Sequence, residues 1–272
     1  MRFGKLQLNL HKNNFVLVFS ILCFILAFSG CVSNRLEMPD AKYFSWFSND
    51  NELYAFLPVQ KNFDIVKNLS KLFIKDLSEK DSHKILTRTN ALYLSCGNLS
   101  NSDKSFQMIA SGNYPLLFLK MALKEKRGWK KTSGFYTHSS GVKLKIINSS
   151  AIMLSNTDIN KINQANNNDF SMKLSDRIAF VLKNPDSFIS KFLGKIQLPV
   201  SEFFGSLSGF KDNNYLLDAD FKFSETKAVK PAQLILKLAG IESNVNSNSQ
   251  NILSVPGLSI NVKRMEELWT LK

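Results

Sequence analysis

Residues 200–223 read VSEFFGSLSGFKDNNYLLDADFKF. Two runs rich in aromatic and branched residues, Val200–Ser208 and Tyr215–Phe223, flank the polar turn Lys211–Asn214 (KDNN). The second run alternates apolar and polar over DADFKF, as a strand with one buried and one solvated face does. The stretch predicts an antiparallel pair. Upstream, Arg177–Leu182 (RIAFVL) reads as a strand, and Pro185–Leu193 as a helix opened by Pro behind Asn184, a good cap. Downstream, Val229–Ala239 reads as a helix holding Leu234, Leu236 and Leu238, with Gly240 as its stop. An Asn/Ser-rich loop, 243–251, precedes a closing strand, Leu258–Lys263, and a short terminal helix, Arg264–Leu271.

The same order stands earlier in the chain. Leu53–Val59 (LYAFLPV) is a strand, and Asn62–Leu77 a helix with Phe63, Val66, Leu69, Phe73 and Leu77 at helical spacing. Strands follow at Ala91–Cys96 and Ser105–Ser111, joined by the polar turn Asn98–Lys104, and then a helix, Tyr114–Lys126. Phe135–His138 and Val142–Ile147 form a hairpin about Ser139-Ser140-Gly141, and Ala151–Leu154 is a last short strand. Both halves thus read βαββαβ. The expected class is α+β: two tandem split, ferredoxin-like units, 51–155 and 171–272, with mostly antiparallel sheet and helices on one face. An Asn-rich linker, 156–170, would divide them. One continuous sheet shared by both halves fits the same order.

The N-terminus carries the address. Residues 1–14 hold Arg2, Lys5 and Lys12 and no acid, and Phe15–Phe28 is apolar except for Ser20. A basic start, a short apolar run and small residues before a cut form a secretory signal. The run is short for a membrane span. Leu26-Ala27-Phe28-Ser29-Gly30-Cys31 resembles the lipobox of bacterial lipoproteins; Phe28 stands where Leu, Val or Ile is usual, and spirochaete-type lipoboxes admit it. The resemblance implies cleavage of 1–30 and acylation of Cys31. The chain would then be lipid-anchored in the cell envelope, periplasmic or surface-facing, with the outer membrane favoured. Residues 31–50 would be a tether ending in an aromatic knot of Tyr43, Phe44, Trp46 and Phe47.

The chain has 3 Cys, and its formal charge is +13. With Cys31 acylated, Cys96 lacks an intramolecular partner, so no disulfide framework is expected. Losing the leader removes three cations and leaves about +10 by formal count. An exported basic protein meets anionic lipid before nucleic acid.

Catalytic signals are missing. His83 and His138 have no His, Cys, Asp or Glu at ligand spacing, so neither a metal nor another cofactor is expected. Gly205-Ser-Leu-Ser-Gly209 places Leu207, not a nucleophile, at its centre. A non-enzymatic protein is the expectation.

The suggestive residues are basic. Lys120, Lys124, Lys126, Arg127, Lys130 and Lys131 crowd the end of a predicted helix around Trp129, and Lys67, Lys71 and Lys75 stripe another. Cations flanking an apolar helix with Trp at its border suit an anionic membrane surface. The expected function is docking on such a surface, or binding a hydrophobic ligand or partner. The alternative is an assembly module that binds another envelope protein along a sheet edge.

Overall fold

The computed structural model describes residues 40–67, 83, 85–99, 105–159, 174–185, 198–211 and 214–261. The leader, Cys31, Lys71, Lys75, most of the Asn-rich stretch and the helices expected at Pro185–Leu193 and Arg264–Leu271 lie outside the described residues.

Among the described residues twelve strands form one sheet: β1 Leu53–Pro58, β2 Thr89–Gly97, β3 Ser105–Gly112, β4 Trp129–Thr132, β5 Phe135–His138, β6 Lys143–Ile146, β7 Ala151–Ser155, β8 Ile178–Lys183, β9 Val200–Lys211, β10 Asn214–Phe223, β11 Asn244–Val245 and β12 Ile252–Asn261. Among the described residues two α-helices join them, α1 Leu116–Ala122 and α2 Val229–Leu238. A helical stretch spans 63–67. The class is mixed α and β, with a large antiparallel sheet and few helices.

The strand order is β11-β12-β10-β9-β8-β1-β2-β3-β7-β6-β5-β4, and all pairs are antiparallel. This corrects the expectation of two ferredoxin-like units. In each half the first three strands, β1-β2-β3 and β8-β9-β10, lie side by side as a meander, and a later strand, β7 or β12, returns beside the third. The halves meet head to head through their first strands, with Leu53 opposite Leu182 and Phe56 opposite Ala179. A helix between two strands permits either a parallel crossover or a return beside the strand just left. Element order is the same in both cases, and only the pairing separates them.

Side-chain alternation divides the sheet into two faces. On the first, Leu53, Ala55, Leu57, Leu92, Leu94, Phe180, Phe203, Leu217, Phe221 and Leu253 form one core that crosses the β1–β8 seam. Both helices pack on this face: Val229, Ala232 and Leu236 of α2 are buried in it, and Leu119 of α1 lies against it. Strand β1 is buried at all six positions, so both of its faces are covered.

On the second face, described residues close over the first half. There a 3-10 turn, Ala41–Trp46, capped by the Asp40 carboxylate, lays Tyr43, Phe44 and Phe47 on Tyr54, Phe56, Tyr93, Ile109 and Met153. The Tyr93 ring centroid lies 5.0 Å from Tyr43, 5.4 Å from Phe44 and 5.3 Å from Phe56. Such aromatic pairs contribute about 0.5–1.5 kcal/mol each beyond area burial. Polar contacts fix the register of the knot. The Asp40 N–H donates to the Tyr93 hydroxyl at 2.9 Å, the Tyr54 hydroxyl to the Ser48 carbonyl at 2.7 Å, and the Ser48 N–H to Gln107 Oε1 at 3.0 Å. The knot is therefore part of the body, so the tether expected over 31–50 does not include residues 40–47.

Burial also sets a pH limit. The Tyr54 hydroxyl is pushed up to about 12, first by burial and then by the Asp50 charge, against a lowering backbone hydrogen bond at Asn51. Burial raises Tyr114 as well, partly offset by its hydrogen bond with Thr89. In the unfolded chain both titrate near ~10. Raised folded values contribute stability that is complete below about pH 10 and lost as pH rises through the folded values. The urea midpoint should fall above about pH 10, and Tyr54→Phe should flatten part of that fall. Tyrosinate absorbance from all six tyrosines near pH 10 in the folded protein would contradict this.

Candidate functional site

The basic residues singled out in the sequence gather at the β4 end of the sheet, but not on one helix. α1 follows Pro115, whose φ of −62° suits a helix start. It ends at Ala122, and a 3-10 turn, Glu125–Arg127, follows. At Gly128 the chain reverses with φ +81°, and a Cβ there would come within 3.0 Å of His138 Nε2 and Ser139 Oγ. Only glycine adopts this conformation without strain in that space. The chain then runs into β4, the outermost strand, where Trp129 packs on His138 with centroids 4.9 Å apart.

Pairing registers place the charges. Trp129 lies opposite His138 and Lys131 opposite Tyr136, which in turn faces Leu144 and then Leu154. Leu154 packs on the helix-side core, so Trp129 and Lys131 share the face of α1. Lys130 points to the other face, in line with Thr137 and Lys143. Lys120, Lys124, Lys126, Lys130 and Lys131 are exposed, and Trp129 is half-exposed. Lys67 is half-buried in the stretch 63–67, which leans on the helix-side core through Phe63 and Ile65.

The structure leaves apolar helix residues at the surface, which the sequence analysis does not anticipate. Leu117 and Met121, one helical turn apart on α1, are 69% and 50% exposed. Leu234 and Leu238 repeat the arrangement on α2 at 59% and 81%. The signal was present: 116–123, LLFLKMAL, is apolar nearly all round, more than one buried stripe requires. Lys143 and Lys145 on β6 extend the basic edge and were also missed.

Among the described residues, no group of three or more His, Cys, Asp or Glu could hold a metal, and no helix is long and apolar enough to cross a membrane. Cys96 is buried in the helix-side core on β2, while His138 sits on β5 with β3, β7 and β6 between them. They form no thiol–imidazole pair. His138 Nδ1 is instead bound by its own hairpin, 2.8 Å from Ser140 Oγ.

Comparison with known proteins agrees with this geometry. The chain resembles TP0453 in crystal form I at 21% identity with a TM-score of 0.64, over 85% of this chain and 97% of that one. Crystal form III gives 20% and 0.62 over 87% and 99%, and form IV gives 19% and 0.58 over 86% and 97%. At these identities the likeness concerns the fold. No curated protein matches the chain. The profile of the outer membrane-associated lipoprotein TP0453 family matches residues 40–140 and 144–266. That match takes in the knot, both meanders and the basic edge, and the chain therefore belongs to the outer membrane-associated lipoprotein TP0453 family, with its place in the cell envelope at a membrane.

Proposed function

We propose that this protein is a non-enzymatic lipoprotein, cut before Cys31 and acylated there, whose β4 edge and α1 dock on an anionic membrane surface. One observation carries the reading: Leu117 and Met121 stand in water on α1, with Lys120 and Lys124 beside them in sequence and Trp129 on the same side of the sheet. Apolar tips, basic flanks and a border Trp suit the headgroup region, where each cation contributes about 1 kcal/mol.

The anchor and this edge can reach one membrane. Asp40 is pinned to Tyr93 on β2, five strand spacings from β4, about 24 Å at the usual interstrand distance. Residues 31–39 can extend roughly 30 Å. An acyl chain at Cys31 and a docked edge would then act as two linked sites, each raising the effective concentration of the other. Lysines on an outermost strand also discourage addition of a partner strand, which argues against the sheet-edge assembly reading.

The test is flotation of the unlipidated Cys31→Ser protein, residues 31–272. It should float with anionic vesicles at low salt and much less with zwitterionic ones. Lys124→Glu with Lys131→Glu should weaken binding more than tenfold, by the roughly 1 kcal/mol per cation given above. Leu117→Asp with Met121→Asp should do the same at any salt. Failure to bind anionic vesicles, or equal binding by both double variants, would reject the reading.

A further inference from the structure

His138 stands on β5 opposite Trp129, on the face that also carries α1 and Lys131. Its ring is held by its own hairpin. The Ser140 N–H donates to His138 Nδ1 at 3.2 Å, and the Ser140 hydroxyl lies 2.8 Å from the same nitrogen. A backbone N–H can only donate, so Nδ1 is the bare nitrogen and the proton of the neutral ring sits on Nε2. The His138 N–H donates to the Val142 carbonyl at 2.8 Å, and the Gly141 N–H to the His138 carbonyl at 2.9 Å, which closes the turn. Trp129 lies against the imidazole with the two rings tilted by 53°. The ring thus presents one N–H in a fixed direction.

That direction is toward Gly128. The place a Cβ would take at Gly128 is 3.0 Å from His138 Nε2 and 3.0 Å from Ser139 Oγ. The two donors border one notch and stand no farther apart than twice that distance. The Ser139 N–H donates to the Gly128 carbonyl at 2.9 Å, which ties the two sides of the notch together. Neither His138 Nε2 nor the Ser139 hydroxyl has a partner among the described residues.

Cations stand beside the notch. Lys131 shares its face, two positions along β4 from Trp129, about 7 Å by strand rise. Lys124 adjoins from the turn, since its carbonyl accepts from the Trp129 N–H at 3.3 Å. Glu125 is the acid on this turn. Neither lysine enters an ion pair among the described residues.

The chemistry selects an anion with several acceptor oxygens on one centre. A carboxylate would spend both oxygens on the two donors. A phosphate can give one oxygen to each and keep others for the lysines. A terminal phosphate suits the notch best, because no headgroup alcohol stands on its outer side.

We infer that the Gly128 notch binds the phosphate of an anionic lipid headgroup, with His138 Nε2 and Ser139 Oγ as donors and Lys124 and Lys131 as counter-charges. The inference rests on the docking reading and deepens it. Docking through lysines alone follows charge density, whereas the notch adds a contact set by hydrogen-bond geometry.

The experiment therefore uses substitutions that leave the charge alone, in the Cys31→Ser protein, residues 31–272. His138→Phe keeps a ring against Trp129 and removes the N–H. Ser139→Ala removes the hydroxyl of an exposed turn residue. Each should weaken binding to phosphatidylcholine vesicles holding phosphatidic acid about tenfold. His138→Gln, which keeps a donor, should lose less. The ¹⁵N resonance of His138 Nε2 should shift saturably with dihexanoylphosphatidic acid below its micelle concentration. Losses in both variants together with that shift support the notch. Full binding by both, with the Lys124→Glu, Lys131→Glu protein still impaired, leaves docking standing and overturns the notch. If no vesicle binds, docking fails and the soluble lipid decides the notch alone: a saturable shift supports it, and no shift overturns it. Inorganic phosphate that moves the same resonance as tightly as the lipid would overturn the headgroup assignment.

Discussion

Phe47→Ala is expected to lower the free energy of unfolding by about 3–5 kcal/mol, the cost of deleting a fully buried aromatic side chain. Phe47 has 0% exposure and closes the knot against Phe44, with centroids 6.0 Å apart. The cluster also holds Tyr43 and Phe44 of the knot and Ile159, with Leu174 packed against it, so the variant removes one ring from a closed core. Trp46→Ala is the control. Trp46 is larger but only half-buried at the rim, and should cost about half as much or less. Urea unfolding gives the comparison, with the shift expected in the midpoint and not in the slope. Equal losses for the two variants would show that the knot is a loose cover and not a closed core. Phe47→Ala should also make the chain around residues 40–50 sensitive to protease below the global transition, because the polar contacts of Asp40 and Ser48 depend on the rings staying seated.

Gly112→Ala is expected to cost about 3 kcal/mol or more, at the upper end for overpacking. A Cβ at Gly112 would sit 2.0 Å from the Arg88 carbonyl oxygen and 2.9 Å from Thr89 Cα. These are backbone atoms held from several sides. The Arg88 carbonyl accepts from the Asn113 N–H at 2.9 Å, and the Thr89 carbonyl accepts from Gln60 Nε2 at 2.7 Å. The Thr89 hydroxyl donates to the Ile85 carbonyl at 2.8 Å and lies 2.9 Å from the Tyr114 hydroxyl. No rotamer change relieves the collision. Gly134→Ala separates sterics from conformation. Its φ is +85° but nothing lies within 4 Å of its Cβ, so only the left-handed penalty of about 1–2 kcal/mol applies. A Gly112→Ala protein as stable as Gly134→Ala would mean that the β2–β3 end can shift apart freely.

Much of the element order was readable because periodicity reports which side of an element is apolar. The KDNN hairpin, the paired β5 and β6, and the helix at Val229 follow from that signal. The missed strands are those whose environment supplies no such signal. β4, WKKT, has one half-buried and three exposed residues at the rim, so it shows no alternation and reads as the end of a helix. β12 begins at Ile252, six residues before the expected start, because Pro256 and Gly257 look like a strand break. They form instead an irregularity opposite Leu217 and Ala219, where Gly257 turns at φ +64° and gives its N–H to Asp218. The basic cluster was legible as composition, and its division between a helix, a turn and two sheet faces was not. The meander order was also beyond reach, since pairing partners are set by tertiary packing and not by local pattern.

The head-to-head seam between β1 and β8 has a consequence for how the chain reaches this fold. Within each half, pairing joins strands close in sequence, so loop closure is cheap and a meander can form early. The seam joins Leu53 to Leu182 and is far costlier to close. Until it forms, each half presents its first strand as an unpaired edge of mostly buried, apolar residues, LYAFLP in one and IAFVLK in the other. Such an edge is an invitation to pair with another chain. In an exported protein the first half emerges before the second exists, so its β1 edge must wait for β8 or be shielded meanwhile. Docking of the two meanders is then the slow step, and the seam is where misassembly between molecules would begin.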